Sequence, residues 1–293
     1  MKLLQFIKEG EPRLGVKIDQ GIIDVKEAAK NLEIPIPTTL HRIIQEGQDG
    51  LKKLNDFISR VLQHEGKDFI IPEDSLTYAP AITNPEKIIC VGLNYIDHAK
   101  ESKMEIPKSP VLFSKFNSAL AGHLETIEIP ADAKHIDYEA EMVIIIGKTA
   151  KNVTVEDALD YVFGYSVGND VSARDLQFRS GQWLLGKTPD GFAPVGPYIV
   201  TCDEINPNNL SIECRVNGEI RQKANTRDMI FDCDVLISYI SHYITLKPGD
   251  LIFSGTPDGV ILGAPEEKQV WLKSGDEMVV EIEAIGELRN VLK

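Results

Sequence analysis

Two glutamates one residue apart head an unbroken apolar run, Asp137-Tyr138-Glu139-Ala140-Glu141-Met142-Val143-Ile144-Ile145-Ile146-Gly147. Side chains alternate along a strand, so Glu139 and Glu141 would share a face with Val143 and Ile145. Two like charges at the mouth of a buried strand repel and lose hydration unless a cation or a fixed partner compensates. A hard divalent ion such as Mg²⁺ or Mn²⁺ would serve, since these ions prefer oxygen ligands in sites with room for water or substrate. A solvated strand end is the bland alternative, and the commoner one for an isolated E-x-E. Asp170, just beyond the strand-like run 162–168, is a third candidate ligand, although its place before Val171-Ser172-Ala173-Arg174-Asp175-Leu176-Gln177 equally suits a helix N-cap. On such a helix Arg174 and Gln177 would stand three apart on one face, both able to address a carboxylate or carbonyl.

A second constellation is His98 with Glu101, in a polar segment that leaves a strand through Gly92. At helical spacing the carboxylate can orient the imidazole and raise its basicity, which suits proton removal at neutral pH. A surface pair is the plainer alternative. Lys187 and Thr256 lie in turn-rich stretches, 186–197 and 254–260. Lys187 could stabilise an enolate, and Thr256 could hold a carboxylate together with nearby backbone N–H groups; ordinary surface turns are the alternative for both. Gly164-Tyr165-Ser166-Val167-Gly168 matches the serine-hydrolase G-x-S-x-G, with Asp175 and His242 following in a suitable order. That chemistry needs the serine at a sharp strand-to-helix turn, whereas Ser166 sits inside an apolar run.

The elements that would position these groups are mostly strands. Alternating segments at 3–7, 14–18 and 22–25 suggest a small antiparallel meander, followed by helices over 26–32 and 38–64, the second interrupted by Gly47 and Gly50. The proline-rich stretch 71–85 marks a connector, dividing a small N-terminal α/β domain, 1–80, from a domain at 81–293. Beyond it, strand-like runs at 87–92, 139–147, 162–168, 198–202, 211–216, 251–254 and 278–282 outnumber helical patterns at 155–161 and 229–245. Without regular alternation of strand and helix, an α+β fold fits better than a doubly wound sheet.

With 293 residues, 43% of them hydrophobic, the chain can bury a sizeable core. A formal charge of −14 disfavours nucleic acid or an anionic membrane as partner, and an anionic substrate would need a local positive centre such as a cation. Cys90, Cys202, Cys214 and Cys233 have no metal-binding spacing and read as reduced, mostly buried thiols. No signal-peptide or membrane-spanning apolar run is present, so the cytoplasm is the expected address.

Taken in order, GLNYxxHAxE, DYEAE, NDVSARDLQ, GKTPDxFxPxGP and SGTPDGV resemble the fumarylacetoacetate hydrolase family. The resemblance covers residue 87 to the C-terminus. It implies a mixed sheet rolled into a pseudo-barrel, usually in a dimer, with Mg²⁺ or Mn²⁺ held by Glu139, Glu141 and Asp170. It further implies a catalytic pair, His98 and Glu101, on a lid-like segment, and substrate contacts from Lys187, Thr256, Arg174 and Gln177. The enzyme that gives the family its name has a fourth metal carboxylate where this chain reads Cys90-Val91-Gly92-Leu93-Asn94-Tyr95, so fumarylacetoacetate itself is not the expected substrate. The expected reaction is hydrolysis of a carbon-carbon bond in an acylpyruvate or related 2,4-diketo acid through an enolate of pyruvate. The same enolate chemistry would serve oxaloacetate decarboxylation or 2-oxo-diacid isomerisation, and a non-catalytic, metal-stabilised scaffold is the alternative of another class.

Overall fold

The computed structural model describes every residue from 1 to 293 except Glu65 and Lys67. In chain order the strands are β1 (Lys2–Lys8), β2 (Glu11–Ile18), β3 (Gly21–Asp24), β4 (Ile70–Ile71), β5 (Ile88–Gly92), β6 (Val111–Lys115), β7 (Leu120–Ala121), β8 (Thr126–Ile127) and β9 (Ile136–Asp137). They continue as β10 (Ala140–Ile146), β11 (Val162–Asn169), β12 (Ser172–Ala173), β13 (Ala193–Thr201), β14 (Ser211–Val216), β15 (Glu219–Asn225), β16 (Leu251–Phe253), β17 (Glu277–Ile282) and β18 (Gly286–Leu292). The α-helices are α1 (Val25–Asn31), α2 (Leu40–Gln63), α3 (Ile96–Glu101), α4 (Arg174–Gln177), α5 (Leu184–Lys187) and α6 (Cys233–Tyr243).

Among the described residues an 11-stranded mixed sheet runs in the order β4-β3-β2-β1-β13-β11-β10-β16-β5-β6, with β7 on β13, and a 5-stranded sheet runs β15-β14-β17-β18-β8. The α+β class expected from the sequence is what forms, but the expected pseudo-barrel is not. The large sheet is open, neither closed nor strongly curled. Closure requires the two end strands to pair in a common stagger. Here one end, β4, is two residues long and runs into Pro72, while at the other end α5 packs on β6, with Trp183 edge-on to Phe113 at 5.4 Å between ring centroids.

The centre of the large sheet is buried on both faces, which is why β10 is apolar from Met142 to Ile146. Met142, Ile144 and Ile146 join a core with β14, β17, β18 and α6. Val143 and Ile145 join a second core built with α1, α2, Cys90 and Phe253. The meander forms as expected, and β1 pairs with β13, so the N-terminal strands extend the main sheet. Of the two glycines expected to interrupt the second helix, Gly47 does so (φ 57°, ψ −132°). Gly50 instead lies where a Cβ would meet the Ile43 carbonyl oxygen at 2.5 Å. The expected helix over 155–161 is reduced to a 3-10 turn at Ala158–Tyr161.

Candidate active site

Glu139 precedes β10, Glu141 is its second residue, and Asp170 follows the neighbouring β11. Antiparallel pairing of Ala140 with Asn169 brings the ends of the two strands side by side, tied by the Asp170 N–H donating to the Glu139 carbonyl at 2.9 Å. One carboxylate oxygen from each of Glu139, Glu141 and Asp170 lies within 4.8 Å of the others, and all three residues are buried. Their shared face is that of Val143 and Ile145, so the cluster stands at the edge of the second core.

The cationic groups around this cluster come from short elements that pack on it. Lys187, last in α5, donates from Nζ to Glu139 Oε2 at 2.7 Å and to Asp170 Oδ2 at 2.8 Å. Arg174, first in α4, donates to Asp137 Oδ2 through Nε at 2.9 Å and to Gln177 Oε1 through Nη1 at 2.9 Å, and its Nη2 lies 2.7 Å from Glu139 Oε1. Lys115, at the end of β6, is wholly buried, with Nζ 2.5 Å from Asp170 Oδ1, though off the direction of a hydrogen bond. It donates instead to the Val171 and Phe192 carbonyls.

Burial by itself would raise the Glu139 carboxyl, but the charges of Lys187, Arg174 and His98 outweigh it and hold the group well below the usual range. Glu141 goes the other way. Its burial, joined by repulsion from Asp170 and Glu139, pushes the carboxyl well above its ordinary value against the weaker pull of Lys187 and the Gly255 N–H, 2.8 Å from Oε2. Burial also lowers the Lys115 ammonium in spite of Asp170.

A cavity of about 550 Å³ has His98, Glu139, Arg174, Gln177, Lys187 and Thr256 among its polar lining, with Glu101 beside His98 on its wall. Glu141 and Asp170 lie beneath this lining. His98 Nδ1 stands 2.9 Å from Glu101 Oε1, and Glu101 Oε2 accepts the Gly259 N–H at 3.0 Å. The pair is therefore held in the fold, with His98 only 7% exposed. Thr256 Oγ1 accepts from Gln222 Nε2 at 2.8 Å. Phe113, Trp183, Met104 and Leu262 add an apolar wall, with Lys187 Nζ 5.1 Å from the Phe113 ring centroid. Ser166 is not part of the site: it is buried in the middle of β11 and donates to the Tyr198 carbonyl at 2.7 Å.

Sequence reading missed Lys115, Asp137 and Gln222. Lys115 closes an ordinary strand pattern, Asp137 resembles a strand-end acid, and Gln222 lies in a half-exposed hairpin strand. Gln222, flanked by Arg221 and Lys223, carries no local signal at all.

The donor set fits a hard divalent cation. Three buried carboxylates converge, Glu141 has no cation bonded to it and Asp170 Oδ1 lacks a hydrogen bond among the described residues, and the Lys187 ammonium sits between two of the three as a cation would.

The profile of the C-terminal domain of fumarylacetoacetate (FAA) hydrolase matches residues 87–293. The chain belongs to the fumarylacetoacetate hydrolase family. Among its relatives, rat mitochondrial oxaloacetate tautomerase Fahd2a is 41% identical over 99% of this chain and 91% of its own. The structure of a fumarylacetoacetate hydrolase from Exiguobacterium antarcticum superposes with a TM-score of 0.81 at 36% identity, covering 100% of this chain and 99% of that one. That of a Sphingobium maleylpyruvate hydrolase in complex with manganese(II) and pyruvate gives 0.79 at 31% identity, covering 100% and 98%. Family membership, the carboxylate cluster and the manganese-bound relative together support divalent-metal chemistry on a small 2-oxo or diketo acid. The expected cytoplasmic address is not upheld, because the rat, frog, bovine and human relatives are mitochondrial proteins. Apolar patterning bears on secretion alone, since mitochondrial targeting segments are amphipathic and basic. No helix among the described residues is long and apolar enough to cross a membrane.

Proposed function

We propose that this protein interconverts the keto and enol forms of a small 2-oxo diacid, with oxaloacetate the first substrate to test. The observation that carries the reading is a carboxylate-oriented imidazole, His98, on the same cavity as the cation-rich floor around Glu139, in a chain so like the rat oxaloacetate tautomerase. Tautomerisation moves one proton from C3 to the C2 oxygen and breaks no carbon-carbon bond. It needs a base near a C–H bond and positive charge near the oxygen. With Nδ1 engaged by Glu101, His98 keeps Nε2 to take the C3 proton and return it. Glu139, Glu141 and Asp170 would hold Mg²⁺ or Mn²⁺, and when bound the ion supplies a Lewis acid to the substrate's oxygens. Lys187 and Arg174 add positive charge where the enolate oxygen forms, while Gln177 and the Thr256 hydroxyl orient a carboxylate by neutral hydrogen bonds.

A second reading, hydrolysis of an acylpyruvate, draws on the apolar wall of Phe113, Trp183, Met104 and Leu262, which suits an acyl tail better than a second carboxylate. In that reaction His98 takes its proton from water. The deciding assay uses chelator-treated protein reloaded with Mg²⁺ or Mn²⁺. Enol absorbance and carbon dioxide release are followed with oxaloacetate, and pyruvate release with acetylpyruvate. Metal-dependent loss of the enol without extra carbon dioxide is the expected result. Pyruvate from acetylpyruvate, with oxaloacetate relaxing at the buffer rate, would replace the proposal by the hydrolase, and silence on every 2-oxo acid would favour a scaffold. A homodimer is proposed as the assembly, to be read by light scattering.

A further inference from the structure

Asp137 stands just ahead of the paired glutamates and does not line the cavity, yet it is 0% exposed and both its oxygens are fully used. Oδ1 accepts the N–H groups of Tyr138 at 3.0 Å and Ile261 at 2.9 Å. Oδ2 accepts the Leu262 N–H at 3.0 Å and Arg174 Nε at 2.9 Å. One carboxylate thus bonds at once to a side chain of the floor and to the loop 259–263.

That loop is the seat of the other half of the site. Its Gly259 N–H donates to Glu101 Oε2 at 3.0 Å, and the Gly259 carbonyl accepts the Tyr138 hydroxyl at 2.8 Å. At Gly263 the approach is closer still, since a Cβ there would lie 2.4 Å from Glu101 Cδ. Glu101 in turn orients His98. The floor and the base come from distant parts of the chain, and the described bonds join them through the 259–263 loop and Asp137.

We propose that Asp137 is a positioning residue that sets the placement of the His98–Glu101 base relative to the Arg174–Glu139 floor. A structural ion pair would need only Arg174. The two loop N–H groups on the same carboxylate are what link the dyad to it. The kinetic part of this inference rests on the tautomerase reading above.

Asp137→Asn keeps the shape but must turn an amide NH₂ toward one of these donors, so part of the link is lost. The expected result is a lower kcat together with a higher KM for oxaloacetate, each by about 10-fold or more, as for other supporting residues behind a site. Combined with Glu101→Gln, Asp137→Asn should lower kcat no further than Glu101→Gln alone, because both remove the same orientation. Tyr138→Phe removes only the hydroxyl bond to the Gly259 carbonyl and keeps the Ile261 and Leu262 bonds to Asp137, so it should lower kcat less than Asp137→Asn and leave KM unchanged. Losses that multiply in the double variant, or a KM rise in Tyr138→Phe equal to that in Asp137→Asn, would show general loosening and overturn the proposal. Should Asp137→Asn fail to fold, Asp137→Glu, which keeps the charge but displaces both oxygens from the Arg174 and loop donors, is read in its place, and an unchanged kcat overturns the proposal. If the wild-type protein turns over no 2-oxo acid, the tautomerase reading falls by itself. Asp137 is then judged by hydrogen–deuterium exchange in metal-free protein: faster exchange in Asp137→Asn over both 257–264 and 96–101 supports the link, and no change in either overturns it.

Discussion

Glu139 and Glu141, two residues apart at the head of β10, are driven in opposite directions by their partners. Glu139 faces Lys187 and Arg174, whereas Glu141 meets Asp170 and Glu139 with, among the described residues, only a backbone N–H bonded to its carboxylate. Glu141 therefore depends most on an added cation. Glu141→Gln should abolish measurable Mn²⁺ binding by calorimetry, and retained stoichiometric binding would remove the carboxylate cluster as the metal site. Lys115 acts behind Asp170, so Lys115→Met should weaken Mn²⁺ by about 10- to 100-fold, in the range seen for groups that orient metal ligands. His98→Asn is expected to leave Mn²⁺ affinity alone and to lower kcat by about 10²- to 10⁴-fold, the usual contribution of a general base.

At the scale of elements, the site stands where strand ends and short loops crowd together. The loop after β16 turns at Gly255 with φ +96°, and a Cβ there would lie 2.7 Å from that of Asn94 and 2.9 Å from the Val91 carbonyl oxygen. That turn aims the Gly255 N–H at Glu141. Gly255→Ala should accordingly cost about 1–3 kcal/mol of stability, read as a lower Tm, and weaken Mn²⁺ binding as well. The division at about residue 80 is a proposal of the same scale. Because β1 pairs with β13 and α2 shares a core with β10 and β13, expressing 81–293 alone would expose an unpaired strand and an apolar face. Soluble, metal-binding protein from that fragment would establish two independent units, and aggregation would show that folding needs both.

For the whole molecule, the proposed metal and a proton would compete for one set of buried oxygens. The raised Glu141 carboxyl means that the native metal-free chain holds a proton more tightly than the unfolded chain does. Its contribution to stability is complete below the ordinary carboxylate range and is lost as pH rises through the raised value. Mn²⁺ would take over as that proton leaves, so the Tm gap between loaded and metal-free protein should widen as pH rises through an interval above the ordinary carboxylate range. At 100 times its Kd the ion adds about 2.7 kcal/mol. A gap that stays constant or narrows over that interval would show that Glu141 does not bind the ion. Glu139, whose carboxyl is held low, works with the opposite sign: its stabilisation is lost only as pH falls below the ordinary range.

The chain by itself determined what is local or periodic. The two-residue period put Glu139 and Glu141 on one face, the unbroken apolar run of β10 required burial on both sides, and the turn residues Asn217 and Gly218 closed the β14–β15 hairpin at positive φ. It also supplied the ordered set of motifs that the family profile matches. Tertiary structure decided what depends on distant segments meeting. The strand pattern showed that a sheet forms, but whether its ends join is set by which edges face each other, and here they stay open. His98 and Glu101 were legible as a pair at helical spacing, but their burial against the 259–263 loop was not. Lys115, Asp137 and Gln222 left almost no trace, because each owes its role to partners at least 34 residues away. Local pattern reports the forces between near neighbours, whereas this site is held by hydrogen bonds and charges that only the packed chain brings within reach.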